Sequence, residues 1–225
     1  MGHGTGLGKV ILFGEHFVNL ASPGLVSAIS LAAEAEVVKI NGLHVSIRDE
    51  RRGTPGYIEA KREQQRKAVS LILRSLGLPE GGLDIWLGGL LPVYSGIGAS
   101  AASCVAIARA LAAEFGLQVR DEEINQAAYE GEKAYHGAHH AGLDNTAATF
   151  GGVLWYHKGP PLRYEAVRLR QPCEVVIANS GIVADTEAMI AGVAKRRAGE
   201  AARYDKLVEQ AKAVAAVGRR ALQRG

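Results

Sequence analysis

Cysteine is nearly absent from this sequence. Cys104 and Cys173 are the only two among 225 residues, too few for a disulfide framework. Cys104 lies in an apolar stretch and reads as a small buried hydrophobe. Long apolar runs are missing as well: none approaches the roughly 20 residues that a helical membrane span requires, and no secretory signal pattern opens the chain. A reducing cytoplasm is therefore the expected location. Strong charge of one sign is also lacking. The net charge is +3, too small to imply a nucleic-acid partner. The stretch 195–225 carries nine Lys/Arg against three Asp/Glu, but with no aromatic interleaving beyond Tyr204 it reads as a solvated helix face. No internal repeat and no low-complexity tract is present. What remains is a composition with 48% hydrophobic and 22% charged residues, enough for one sizeable core or two small ones.

The run Leu91-Pro92-Val93-Tyr94-Ser95-Gly96-Ile97-Gly98-Ala99-Ser100-Ala101 carries the most information. Two glycines and several small residues lead directly into an alanine-rich helix. Glycine takes φ > 0 without strain, and small side chains let a backbone approach a bulky anion. The first N–H groups of a helix have no intrahelical partners, and the helix dipole favours negative charge there. The pattern predicts a phosphate cradle with Ser100 available as a magnesium ligand. Two common phosphate motifs do not fit. A dinucleotide fold needs a strand after the helix, whereas Asp121-Glu122-Glu123 opens another helix. A Walker loop fails because Gly8-Lys9 is followed by Val10 and preceded at the required position by His3.

Periodicity predicts strands at 9–13, 25–29, 35–40, 43–47, 83–87, 150–156, 162–168 and 174–178. It predicts helices at 58–76, 99–115, 121–136, 185–198 and 200–223. Strands and helices mix without a strict alternation, so the expected class is α+β. Lys9 follows the glycine-rich approach Gly4-Thr5-Gly6-Leu7-Gly8, which suggests a backbone bending around something. Glu15-His16 sits on a turn past the first strand. A helix carrying Glu132 ends near Gly137, and a glycine-flanked loop then presents Asp144-Asn145. Ser100 and Glu132 would suffice as protein oxygens for magnesium on a nucleotide. An aspartate near a substrate hydroxyl can take its proton during phosphoryl transfer. A rival histidine metal site at His136, His139 and His140 has helical spacing, but Gly137 and Gly142 argue against a regular helix.

Three stretches together resemble the GHMP family of small-molecule kinases, and within it the mevalonate kinase branch of trypanosomatid type. They are Gly8-Lys9-Val10-Ile11-Leu12-Phe13-Gly14-Glu15-His16, Ser95-Gly96-Ile97-Gly98-Ala99-Ser100-Ala101, and Gly142-Leu143-Asp144-Asn145-Thr146 with the segment to Gly152. The stretch 179–186 and the helix after Pro55-Gly56-Tyr57-Ile58 add to the likeness. The resemblance implies an N-terminal domain similar to the ribosomal S5 domain 2 fold at 1–170, and part of a ferredoxin-like second domain at 171–225. It implies ATP and Mg2+ as cofactors, mevalonate as the small-molecule substrate, and phosphorylation of its 5-hydroxyl. It assigns Asp144 as the base, Lys9 as its partner, residues 95–101 as the phosphate wrap, Ser100 and Glu132 as magnesium ligands, and Glu15, His16 and Thr186 as substrate contacts. The competing expectations are an inactive nucleotide-binding remnant and a kinase for another small alcohol.

The sequence departs from the family pattern in three places. No third glycine-rich motif follows Ala178. Ala138-His139-His140-Ala141 stands where relatives carry Pro-Ser. Asn19-Leu20-Ala21-Ser22 replaces a Val-Tyr/His-Gly run in the substrate floor. Helices 185–198 and 200–223 are thus expected to turn Val208, Ala211, Val214, Ala215 and Leu222 toward a missing C-terminal segment or a second copy in a homodimer. On that reading the chain binds ATP weakly and turns over slowly.

Overall fold

The computed structural model describes all residues except 54–55, 94–95, 139, 160–162 and 179–185, and the side chains of 186–187. Its centre is a six-stranded mixed sheet. Strand β2 (Gly24–Lys39) is its spine. Along one edge β2 pairs antiparallel with β1 (Gly2–Phe13). On its other edge residues 33–39 pair with β4 (Leu83–Gly89), and residues 24–27 pair with β5 (Val153–His157). β3 (Val45–Asp49) runs parallel to β4, and β6 (Arg163–Ala166) is antiparallel to β5. The expected strands 25–29 and 35–40 are thus one continuous strand, because alanines at 33 and 35 bury in the sheet as well as larger residues do when helices press close. Glu174 to Ala178, read as a strand, is not one: the segment lies outside the sheet, with Val176 95% exposed.

The helices α2 (Arg62–Ser75), α3 (Ala99–Phe115), α4 (Asp121–His136) and α5 (Leu143–Phe150) share one apolar core with β2 and β4. A short α1 (Tyr57–Ala60) leads into α2. α3 is buried on nearly every side, which explains its small residues: eleven of its seventeen positions are buried. Gly2, Gly4 and Gly6 alternate on the inner face of β1. A Cβ on Gly6 would lie 2.1 Å from the Ala102 carbonyl oxygen, and one on Gly4 2.2 Å from that of Ala106. The glycines therefore do not bend the strand around a ligand. They let α3 lie against its backbone. Gly6→Ala is expected to cost about 1–3 kcal/mol through forced overpacking. Thr5→Ala, on the exposed side, should stay within about 0.5 kcal/mol. Urea midpoints at constant m-value compare the two, and equal midpoints would refute the close-approach argument.

The β1–β2 register shifts between Leu7 and Gly8. A bulge re-aims the side chains after it. Here it changes the phase of burial, so that Gly6 faces the helix layer before it and Lys9 does after it. α6 (Thr186–Gly199) and α7 (Ala201–Arg224) follow. α7 docks on β1, β2 and β5: Val208 and Ala215 are buried, and Gly218 lies against the Phe13 ring. Of the residues expected to face a gap, Ala215 instead packs with Leu25 and Trp155 of this chain's own sheet, Val208 is buried as well, and Val214 is 54% exposed. No helix among the described residues is long and apolar enough to cross a membrane.

Candidate active site

The bulge at Gly8 turns Lys9 into the space between two helix N-termini. Its ammonium lies 3.1 Å from Asp144 Oδ2, with the Lys9 side chain 9% and the Asp144 side chain 32% exposed. Nζ also donates to the Gly96 carbonyl at 3.4 Å, and the Lys9 backbone N–H donates to the Ile97 carbonyl at 2.9 Å. The lysine thus pins the glycine-rich turn by both main chain and side chain. Gly98 caps α3 at φ 79°, and a Cβ there would lie 2.8 Å from Lys9 Cγ. Only glycine takes that backbone conformation at that closeness without strain.

Gly96 and Gly98 hold the turn, and Ala99, Ser100 and Ala101 form the first turn of α3, with N–H groups that the helix leaves unpaired. Ser95 falls outside the described residues, as does the side chain of Thr186. Asp144 is not on a loop, as the flanking glycines suggested. It occupies the first turn of α5, which Gly142 caps at φ 73°. An eight-residue helix is too short to persist alone. Burial of Leu143, Ala147 and Ala148 holds it, and Thr146 Oγ1 donates to the Gly142 carbonyl at 2.6 Å.

α4 delivers Glu132 to the same place. Gly131 makes this approach possible, since a Cβ there would lie 2.8 Å from Ile72 and 3.1 Å from Cys104 Sγ. Glu132 is fully buried, and its Oε1 has no hydrogen-bond partner. Burial pushes its carboxyl up to about 8, the nearby Asp144 adds to this, and the Ser100 hydrogen bond and Lys9 act against it. His136 Nε2 stands 3.3 Å from Ser100 Oγ and 3.8 Å from Glu132 Oε2. Burial lowers the pKa of this imidazole, against the pull of Asp144. A buried carboxylate oxygen without a partner is rare and calls for an explanation. The Glu132 carboxyl and the neighbouring Ser100 hydroxyl have the oxygen chemistry of a hard divalent cation site. Among the described residues no group of three or more His, Cys, Asp and Glu is arranged around a metal. The rival set loses His140, whose Nε2 is engaged with the Tyr129 carbonyl at 3.0 Å, and His139 lies outside the described residues.

Glu15 and His16 begin a 3-10 helix, Glu15–Leu20, rather than an open turn. Val18 of that helix and Leu143 of α5 both close on Gly24, within 3 Å of where its Cβ would be, so the 3-10 helix packs against the start of α5. Glu15 takes φ 29°, an uncommon value for a residue with a side chain. His16 Nε2 is buried without a partner. An uncommon backbone conformation and a buried ring nitrogen without a partner thus occur on one short element.

Sequence reasoning missed a buried ion pair behind the cradle. Arg51 bonds Asp49 through Nε at 2.9 Å and NH2 at 2.6 Å, and both side chains are at most 6% exposed. Its remaining nitrogen reaches the Ala99 carbonyl at 3.3 Å and the Ser103 hydroxyl. Gln65 Nε2 adds a bond to Asp49 at 2.8 Å. A small cleft of about 30 Å³ opens beside this pair, bordered by Tyr57, Lys61, Ser100 and Tyr135. Lys158 was also missed: its ammonium donates to Asn19 Oδ1 at 2.8 Å, at the end of the 3-10 helix. The polar composition of 48–56 concealed the first feature. No local signal marked the second.

Residues 64–152 match the family described as GHMP kinases N terminal domain. The mevalonate kinase of Pyrococcus furiosus is 28% identical over 207 residues, which cover 84% of this chain and 60% of that protein. The chain thus spans 60% or less of the length of the curated relatives it matches here. The Streptococcus pneumoniae phosphomevalonate kinase, crystallised with phosphomevalonate and AMPPNP, shares the fold at a TM-score of 0.76 and 14% identity, over 100% of this chain and 75% of that one. The crystal structure of L. major mevalonate kinase in complex with R-mevalonate superposes with a TM-score of 0.85 at 35% identity, over 100% of this chain and 70% of that one. Identity at that level over that share of a relative, with the glycine turn, Lys9 and Asp144 brought together as described, shows that this chain belongs to the GHMP kinase family.

Proposed function

We propose that the chain carries the catalytic site of a mevalonate kinase, which moves the γ-phosphoryl group of ATP to the 5-hydroxyl of mevalonate. The observation that carries this reading is the Lys9–Asp144 pair at 3.1 Å, set beside the glycine turn and the buried Glu132. The substrate comes from the 35%-identical L. major relative, whose structure holds R-mevalonate. The unpaired N–H groups at the start of α3 would cradle the phosphates. Asp144 accepts the hydroxyl proton. As it does so, the hydroxyl oxygen bonds to the γ-phosphorus, and the bond from that phosphorus to the leaving ADP oxygen breaks with its electron pair. Lys9 holds Asp144 in place and offsets negative charge on the attacking oxygen. Glu15 and His16 border the substrate side.

Ser100 Oγ and Glu132 Oε1 would hold Mg2+, which neutralises phosphate charge when bound. The fit rests on the orphaned Oε1. Ser100→Ala and Glu132→Gln should each raise the magnesium concentration for half-maximal activity by on the order of tenfold. The double variant should lose less than the two singles combined, since groups sharing one ligand are not additive. Additive losses with an unchanged magnesium requirement would refute the pairing.

A steady-state assay of ADP release from the purified chain, with R-mevalonate, phosphomevalonate, galactose and homoserine as acceptors, tests the proposal. Preference for mevalonate is the expected result. Turnover of another acceptor alone would reassign the substrate. ATP binding without turnover of any acceptor would favour a nucleotide-binding remnant.

A further inference from the structure

The connection from α4 to α5 is one of the three places where this sequence leaves its family pattern, and it leads directly into the helix that carries Asp144. His140 is the pivot of that connection. It is only 6% exposed. Its ring lies on the Tyr129 ring, with centroids 4.1 Å apart and planes inclined by 31°. Its Nε2 lies 3.0 Å from the Tyr129 carbonyl oxygen. A carbonyl only accepts, so Nε2 carries the proton and donates. Burial pushes this imidazole down to about 4; the Tyr129 bond opposes that shift, while His136 and Lys133 on α4 and Lys158 after β5 add to it. The ring is therefore neutral at ordinary pH, and the stack does not depend on charge.

The next two residues are fixed with equal care. The Tyr156 hydroxyl donates to the Ala141 carbonyl. A Cβ on Gly142 would lie 3.1 Å from the Tyr129 ring and 3.2 Å from the Tyr156 hydroxyl, and Gly142 has φ 73°. Its carbonyl accepts the Thr146 bond that closes the first turn of α5. α4, β5 and α5 thus each hold one point of a three-residue lead into the helix. Two residues beyond, Asp144 meets Lys9. Asp144 is a third exposed and its side chain is paired with Lys9; the backbone that carries it to that pair enters α5 through this lead.

We propose that His140, seated on Tyr129, is a positioning residue that sets Asp144 opposite Lys9, and that Tyr156 completes the clamp. The inference rests on the reading of Asp144 as the proton acceptor. His140 touches none of the proposed reacting groups and acts through the backbone of Ala141 and Gly142. Displacement of a reacting group by about 1 Å can cost on the order of a hundredfold in rate.

The test compares wild type, His140→Ala and His140→Gln. Glutamine lacks the ring but keeps an N–H donor for the Tyr129 carbonyl. The alanine variant is expected to lose about tenfold to a hundredfold in kcat, with the KM for ATP within about twofold because α3 is untouched. The glutamine variant should recover part of the loss. NMR of the ligand-free protein supplies a readout independent of turnover: the amide signals of Asp144 and Asn145 and the Lys9 Nζ signal should move in His140→Ala, while those of Gly98 and Ser100 stay. Unmoved signals with kcat within twofold of wild type would overturn the proposal. Parallel loss of kcat, ATP affinity and melting temperature without rescue by glutamine would overturn it too. If the signals move as expected but wild type does not phosphorylate mevalonate, the clamp stands and the assigned reaction falls.

Discussion

Asp144→Asn is expected to lower kcat by about 10²–10⁴-fold while ATP affinity stays near that of the unmodified chain. The amide matches the carboxylate in size and keeps its seat in the first turn of α5, so the geometry of the site should survive. What is lost is chemical. An amide cannot take the hydroxyl proton, and it offers no charge to the Lys9 ammonium 3.1 Å away. The cradle is built from the other side of the lysine, by Gly96, Gly98 and the N-terminus of α3, so nucleotide binding should not follow the loss. Lys9→Met separates two roles of the lysine. Its ammonium is paired with Asp144 and also bonded to Gly96, so its removal should reduce kcat and weaken ATP binding together. Single-turnover kinetics and equilibrium titration with a fluorescent ATP analogue check both variants. Asp144→Asn with near-normal kcat would remove the aspartate from the chemistry.

The features legible in the sequence were those fixed by local chemistry. A glycine turn before an alanine-rich segment specifies a helix start with φ > 0 residues, and the structure has Gly96 at φ 72° and Gly98 at φ 79°. Lys9, Ser100, Glu132 and Asp144 could each be singled out by residue type and flanking glycines, and the fold gathers all four. Features fixed by distant packing were illegible. α5 has eight residues and no internal reason to be helical; Gly142 and Gly151 at its ends looked like a loop because the burial of Leu143 and Ala147 that stabilises it comes from other elements. The glycines of β1 looked like a ligand approach because the helix they accommodate lies about a hundred residues later in the chain. The register shift at Leu7–Gly8, which aims Lys9, depends on pairing with residues 29–32 and leaves no mark on the local pattern. The stretch 138–141 departs from the family pattern, yet its consequence is visible only where His140 meets Tyr129.

Asp49 and Arg51 illustrate the same limit and carry the largest expected effect on stability. In the sequence they belong to the polar stretch 48–56. In the fold they close a fully buried ion pair under the first turn of α3. Arg51 places a cation at a helix N-terminus, the end whose dipole disfavours it. Asp49 offsets that charge, and the bonds to Ala99 and Ser103 convert the pair into an anchor for the cradle. Asp49→Leu should therefore destabilise the chain by about 3–5 kcal/mol, because it leaves a buried guanidinium without its partner. Arg51→Met leaves the carboxylate without its countercharge, with Gln65 and the backbone N–H of position 51 as partners, and should cost a comparable amount. The double variant Asp49→Leu/Arg51→Met removes both charges and should recover most of the stability, since apolar replacement of a whole buried pair is often near neutral. It should not recover ATP affinity, because the tie from Arg51 to the first turn of α3 is then gone. Urea unfolding at constant m-value measures the first effect, and nucleotide titration of the double variant measures the second. A double variant that restored stability and ATP affinity together would reduce the pair to core filling. A single Asp49→Leu within about 1 kcal/mol of wild type would contradict its burial.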